Sequence, residues 1–203
     1  MPRRCARGEK IVNLYLRLLR VLLSGMIEGG SHFADTTASR FRVWLHDLDA
    51  FGHMNNGRYL QIMDVARTQW MVRTGVLGAI RRNRWTPLLG GGFIRYRHSL
   101  KLFQRYSVHS RLLCWDERWF YLEHLFADHH NRPAAIGITR AALRKNGNWV
   151  ESSQIEKIVL ENAESPPIPN YVREWVALEE TMYKSGSRNH QRNRADAALR
   201  GPC

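Results

Sequence analysis

The segment from Phe41 to Arg67, FRVWLHDLDAFGHMNNGRYLQIMDVAR, constrains the fold more than any other stretch of the chain. Phe41 to His46 has the β-branched and aromatic content of a short strand. From Tyr59 the period changes: Tyr59, Met63, Ala66 and Trp70 fall at i, i+4, i+7 and i+11, one stripe of a helix. Between the two lies a polar turn from Asp47 to Gly57 that carries Asp47, Asp49, His53, Asn55 and Asn56. Two carboxylates, a histidine and two amides thus stand just ahead of a helix N-terminus. Such an end presents unpaired backbone N–H groups and a partial positive charge, which suit a developing oxyanion.

The chain after this helix carries strand patterns and no second long helical one. The helix ends near Thr74-Gly75, where glycine serves as a C-cap, and Val76 to Arg84 forms a short connecting element. Four strand-like runs follow: Leu89 to His98, Tyr106 to Asp116, Trp119 to Asp128 and Ala134 to Arg144. The turns at 115–119 and 128–132 separate the later three. Asn146-Gly147 marks the end of the sheet, with a short return through Trp149 and Val150. One helix preceding several strands buries its apolar stripe only by lying on one face of their sheet. The pattern predicts an α+β fold, a long helix packed on an antiparallel sheet of about five strands. The Gly90-Gly91-Gly92 run lacks the lysine and the strand–loop–helix context of a phosphate loop, and predicts a bulged or closely approached strand.

The ends read differently from the middle. Residues 1–35 form a basic head, an amphipathic helix (Ile11 to Leu23) and a linker; residues 36–152 form the folded domain; 153–203 form a C-terminal extension. Arg17 and Arg20 interrupt the apolar run, and no small-x-small cleavage site follows, which argues against a secretory signal. The run is shorter than the roughly 20 apolar residues that span a bilayer. Two positions stay open for this helix: packed on the domain, or lying on an anionic membrane surface. In the C-terminal part, Pro166, Pro167 and Pro169 make a rigid connector. Tyr171, Trp175, Leu178 and Met182 then predict a final helix able to dock on the core, with a disordered basic tail beyond Ser185.

Composition narrows the partners. A chain of 203 residues with 44% hydrophobic content can build one good core. Its formal charge of +13 would attract nucleic acid, anionic lipid or the phosphates of a carrier. Much of the excess lies at the two ends, with a further group at Arg81, Arg82 and Arg84. No nucleic-acid-reading module accompanies the charge, so no specific nucleic-acid partner is expected. Cys5, Cys114 and Cys203 have no metal or disulfide spacing, which points to a reducing, cytoplasmic setting with Cys114 buried. His129-His130 beside Asp128 lacks a third ligand, and neither metal nor other cofactor is expected.

An isolated Asp-x-Asp before a helix is ordinary turn and cap chemistry. The whole string Asp47-x-Asp49-x3-His53-Met54-Asn55-Asn56-x2-Tyr59, with Asp64 on the following helix, is more specific. It resembles the signature of hot-dog-fold acyl-CoA thioesterases, the 4-hydroxybenzoyl-CoA thioesterase and YbgC/FadM-like group. The HMNN segment is similar to that of Them-type proteins and to the HVNN of plant acyl-ACP thioesterases. The resemblance covers roughly Arg40 to Lys145.

It implies an enzyme that hydrolyses an acyl-CoA or acyl-carrier-protein thioester to a free acid and a thiol carrier. Asp49 would be the nucleophile or general base, and the helix-start N–H at about Asn56 would polarise the carbonyl. His53 takes an assisting role or simply packs the loop; Phe51 stands where the plant enzymes carry an asparagine of their network. Asp47 is expected as an external turn residue. Asp64 is either a second acid or an exposed carboxylate. Asn55, Tyr59, Arg95 and Arg97 are candidate substrate contacts, the arginines toward the phosphates of coenzyme A, unless they are solvated sheet residues. Relatives assemble as dimers or tetramers, so a homodimer or homotetramer is expected. The rival from another class is a non-catalytic acyl-thioester binding protein of the same fold, held at membranes by its N-terminal helix.

Overall fold

The computed structural model describes residues 9–27 and 30–199, with side chains at 14–25 and 30–185. The outermost basic residues of the two ends, Arg3, Arg4, Arg7 and Arg200, lie outside the described residues, as do Cys5 and Cys203. Its elements are α1 (Glu9–Ile27), β1 (Thr37–Arg42), α2 (Asn56–Arg73), α3 (Val76–Asn83), β2 (Thr86–Tyr96), β3 (Arg105–Trp115), β4 (Phe120–Asp128), β5 (Pro133–Lys145), β6 (Asn148–Trp149), α4 (Ser152–Ile158) and α5 (Asn170–Leu199). The chain divides into two compact units, residues 1–166 and 167–203.

The strands pair antiparallel in the order β1-β3-β4-β5-β2, with β6 added to β5. The helix α2 lies on one face of this sheet, the hot-dog arrangement expected from the pattern. It buries Tyr59, Ile62, Met63, Val65, Ala66 and Trp70, a stripe broad enough for a central helix. Its N-terminal half packs with Tyr106, Val108 and Phe126. Its C-terminal end joins a second cluster that includes Ile80, Trp115, Leu122, Leu143, Ile155 and Leu160. Helix and sheet approach closely where Gly137 of β5 faces Met63, and a Cβ there would stand 2.7 Å from the sulfur.

The bulge expected at the glycine run falls between Leu89 and Gly91, with the Trp119 ring lying against Gly90. Asn146 and Gly147, at φ 51° and 85°, make the tight return from β5 to β6. Three details depart from the sequence reading. The first strand ends at Arg42, and Leu45–Asp47 is a single 3-10 turn, because Asp47 accepts the Trp44 N–H at 2.9 Å and closes the chain there. The α4 helix was not anticipated; its Ile155, with Leu160 beyond, fills the second cluster. Finally, α5 continues past Ser185 to Leu199 instead of giving way to a disordered tail. Its last fourteen residues contain no proline, and Gln191, Ala195, Ala197, Ala198 and three arginines favour a helix against Gly186 and the two asparagines.

α1 packs on α2. Val21 is buried, Gly25 meets Val72, and Ser24 Oγ accepts a bond from Gln69 Nε2 at 3.1 Å. Tyr15, Leu16, Leu19 and Leu23 are 47–65% exposed on this helix. No helix among the described residues is long and apolar enough to cross a membrane.

Candidate active site

The turn ahead of α2 is built around Asp47, and here the structure corrects the sequence reading. Asp47 is fully buried, not external. Arg17 of α1 reaches its Oδ2 at 2.5 Å, Arg58 of α2 reaches its Oδ1 at 2.9 Å, and the Asn55 N–H donates to its backbone carbonyl at 2.8 Å. A carboxylate with two buried guanidinium partners belongs inside; the same carboxylate unpaired would not. His46 Nε2 lies 3.3 Å from Asp47 Oδ1. Burial pushes the His46 pKa below its usual value, Asp47 opposes this, and Arg17 and Arg58 add to the lowering.

Asp49 stands two residues on, half-buried. Its Oδ1 accepts the N–H of Phe51 at 2.9 Å and of His53 at 3.2 Å, and its own N–H donates to the His53 carbonyl at 2.8 Å. Among the described residues, nothing is bonded to Asp49 Oδ2. His53 pairs with Lys101 as an isolated bridge, and its imidazole has no hydrogen-bond partner among the described residues. The two residues are therefore joined through backbone, not as a carboxylate–imidazole pair.

Asn55 caps α2, its Oδ1 accepting the Gly57 N–H at 2.9 Å. Asn56 opens the helix, is exposed, and holds the first of the N–H groups without an intrahelical acceptor. Its carbonyl accepts the Tyr96 hydroxyl at 3.1 Å. Tyr59 is a core residue at 2% exposure, wedged between the rings of Tyr96 and Phe126. Asp49, His53, Asn55 and Asn56 thus share one loop, with Tyr96 of β2 closing its far side.

An apolar cavity of about 410 Å³ opens between α2 and the sheet, lined by Met71, Leu88, Leu112, Phe120, Leu122 and Leu143 among others. A smaller one of about 270 Å³ lies between Leu60 and Met63 of α2 and the glycines of β2. Asp64 and Leu89 border both, so the two lie next to each other along α2 and β2.

A family model described as the thioesterase-like superfamily matches residues 43–176. The chain belongs to that superfamily. It is similar to Protein THEM6 of Xenopus laevis, 34% identical over 132 residues that make up 64% of this chain and 62% of that one. It is also similar to Protein THEM6 of Drosophila melanogaster, 29% identical over 169 residues, or 81% and 85% of the two chains. The match therefore spans less than two thirds of the length of the frog relative. Among solved structures, the YbaW probable thioesterase of Escherichia coli superposes with a TM-score of 0.57 at 17% identity, over 61% of this chain and 96% of that one.

Other candidates in this thioesterase-like chain lie apart from the loop. Arg95 is paired opposite Ile136, on the strand face opposite to Ile94 and Tyr96, and Arg97 follows the strand, its N–H bonded to the Ala134 carbonyl. Asp64 is 59% exposed and paired with Arg67 at 2.6 Å, one turn along α2. Sequence reasoning missed Arg17, Arg58 and Tyr96. Arg17 reads as an interruption of an apolar run, and only its contact with Asp47 gives it a role. Arg58, inside the MNNGRY string, and Tyr96, between the two arginines, were visible but had no partner in the linear pattern.

Proposed function

We propose that this chain is an acyl thioesterase that hydrolyses an acyl-CoA thioester to the free acid and coenzyme A. The observation that carries the reading is the loop that holds Asp49, with one carboxylate oxygen unbonded among the described residues, just ahead of the Asn56 N–H at the start of α2; an apolar groove begins at Leu60, one turn along that helix. In this mechanism Asp49 takes a proton from water as the oxygen adds to the thioester carbon. The Asn56 N–H, at the positive end of α2, stabilises the oxyanion. The C–S bond then breaks, and the thiolate leaves with the proton held on Asp49. The acyl chain occupies the α2–β2 groove, where Leu60, Leu89 and the Leu112–Phe120–Leu122 wall offer apolar contact. Arg95 and Arg97 meet the phosphates of coenzyme A from the rim, and His53 steadies the loop.

A homodimer fits the exposed eleven-residue edge strand β2, on which Leu88, Leu89, Phe93 and Tyr96 are 39–49% exposed. The exposed stripe of α1 supports a peripheral contact with the cytoplasmic side of a membrane.

One observation favours a second reading. Asp49 Oδ1 is fully engaged as a turn cap, which is also what a non-catalytic acyl-thioester binding protein would do with it. Thiol release from short, long and aromatic acyl-CoAs, measured with wild type and Asp49→Asn, separates the two. Hydrolysis lost by about a thousandfold in the variant, with its fold intact, is the expected result. Binding of acyl-CoA by both proteins with turnover by neither would favour the second reading.

A further inference from the structure

A second cavity, of about 780 Å³, lies along the opposite edge of the sheet, between β1, the start of β3, α1 and the C-terminal half of α2. Arg17, Arg20, Arg40, Arg42, Arg73 and Arg105 line it, and no aspartate or glutamate is among its lining residues. We propose that this cavity is a binding site for a phosphorylated anion, separate from the thioester site. Arg42 and Arg105 are direct cross-strand partners in the β1–β3 register, and Arg40 lies two residues from Arg42 on the same face. Like charges set directly opposite each other repel and destabilise a strand pair, and a bound polyanion relieves that cost. None of Arg20, Arg40, Arg42 and Arg105 is ion-paired with a carboxylate among the described residues.

Arg17 adds a more specific observation. Its side chain is 11% exposed. One terminal nitrogen, Nη2, is committed to Asp47, whereas the other, Nη1, is buried without a hydrogen-bond partner among the described residues. Arg17 therefore anchors the cavity wall, and the guanidinium groups open to an anion are those of Arg20, Arg40, Arg42 and Arg105, which are exposed or half-buried. Guanidinium groups recognise phosphate through paired N–H donors, and several of them converging on one volume select for two or more phosphates over a single carboxylate. Phe41 and Trp44 form the apolar part of the wall, with Trp44 44% exposed. The volume suits a pyrophosphate or nucleotide-sized ligand. A phosphoinositide headgroup offers the same chemistry from a membrane.

The test is independent of turnover. Wild type, Arg40→Glu/Arg105→Glu and Arg95→Glu/Arg97→Glu are titrated with pyrophosphate and with ATP by calorimetry and thermal melting. They are also spun with phosphatidylcholine vesicles with and without phosphatidylinositol bisphosphate. Saturating ligand is expected to raise the wild-type Tm by about 5 °C. The Arg40/Arg105 reversal is expected to weaken binding by about tenfold or more, with the Arg95/Arg97 reversal removing only the share of binding that belongs to the coenzyme A phosphate contacts and leaving the cavity-dependent share in place. Binding of the soluble probes identifies a free ligand, whereas binding only of the phosphoinositide vesicles identifies a lipid headgroup; both support the site when the cavity reversal abolishes them. Binding lost in the Arg95/Arg97 protein and kept in the cavity variant would place the anion at the thioester site and overturn the proposal. So would the failure of wild type to bind any of these probes.

Discussion

Asp47 shows how one residue can serve the site from behind it. It ties α1, the turn and α2 together through Arg17 and Arg58. Asp47→Asn leaves two buried guanidinium groups facing a neutral amide, and is expected to cost about 3–5 kcal/mol in urea denaturation, the range for breaking a buried pair. His124 makes the opposite kind of demand. It is fully buried, with Ser110 Oγ 2.8 Å from Nδ1 and Thr139 Oγ1 3.3 Å from Nε2. Burial, helped by the Arg67 charge, holds its pKa down to about 3. The unfolded chain therefore binds a proton on this histidine as pH falls below about 6.5 while the folded one does not. Its contribution is intact above that pH and drains away at roughly 1.4 kcal/mol per pH unit until the folded value is reached. Denaturation midpoints measured across that range should show this slope, reduced in His124→Gln. Cys114 is fully buried, and burial first, then Asp116, raises its thiol pKa to about 11. It is expected to resist a thiol reagent at neutral pH and to react once urea is added.

At the scale of elements, the glycine run of β2 has a physical reason that its composition only hinted at. The chain bulges there, and the Trp119 ring occupies the place of a side chain on Gly90. A Cβ on Gly90 would lie 2.2 Å from that ring, so Gly90→Ala is expected to destabilise the protein by about 1–3 kcal/mol through displacement of Trp119. Thermal melting checks this, and Gly92→Ala supplies the contrast, since its nearest neighbours stand at 3.7 Å. Helix α1 settles between the two positions its sequence left open in an unexpected way. One side packs on α2 through Val21 and Gly25, while Tyr15, Leu16, Leu19 and Leu23 remain outside. Packing on the domain and contact with a lipid surface are compatible for one amphipathic helix when its two apolar sides face different ways.

For the whole molecule, the exposed edge of β2 carries an expectation about assembly. A Leu89→Lys/Phe93→Lys variant places charge along that edge and should shift a dimer to monomers by analytical ultracentrifugation. An unchanged sedimentation coefficient would reject pairing through β2. The order of elements was legible from the sequence because alternation and helical stripes depend on near neighbours. All four later strands and the α2 stripe fall within a few residues of where the pattern put them. Part of the polar loop was legible for the same reason, since Asp49 bonds the Phe51 and His53 N–H groups and Asn55 caps the Gly57 N–H, bonds that span at most four residues. Tertiary structure alone decided the rest: the burial of Asp47 between arginines eleven and thirty residues away, the Tyr96 hydroxyl on Asn56, and the gathering of arginines at the β1 edge. Charge and polarity in a sequence state what a side chain can bond. Whether it is buried with a partner or left in water depends on which distant segment the fold brings against it.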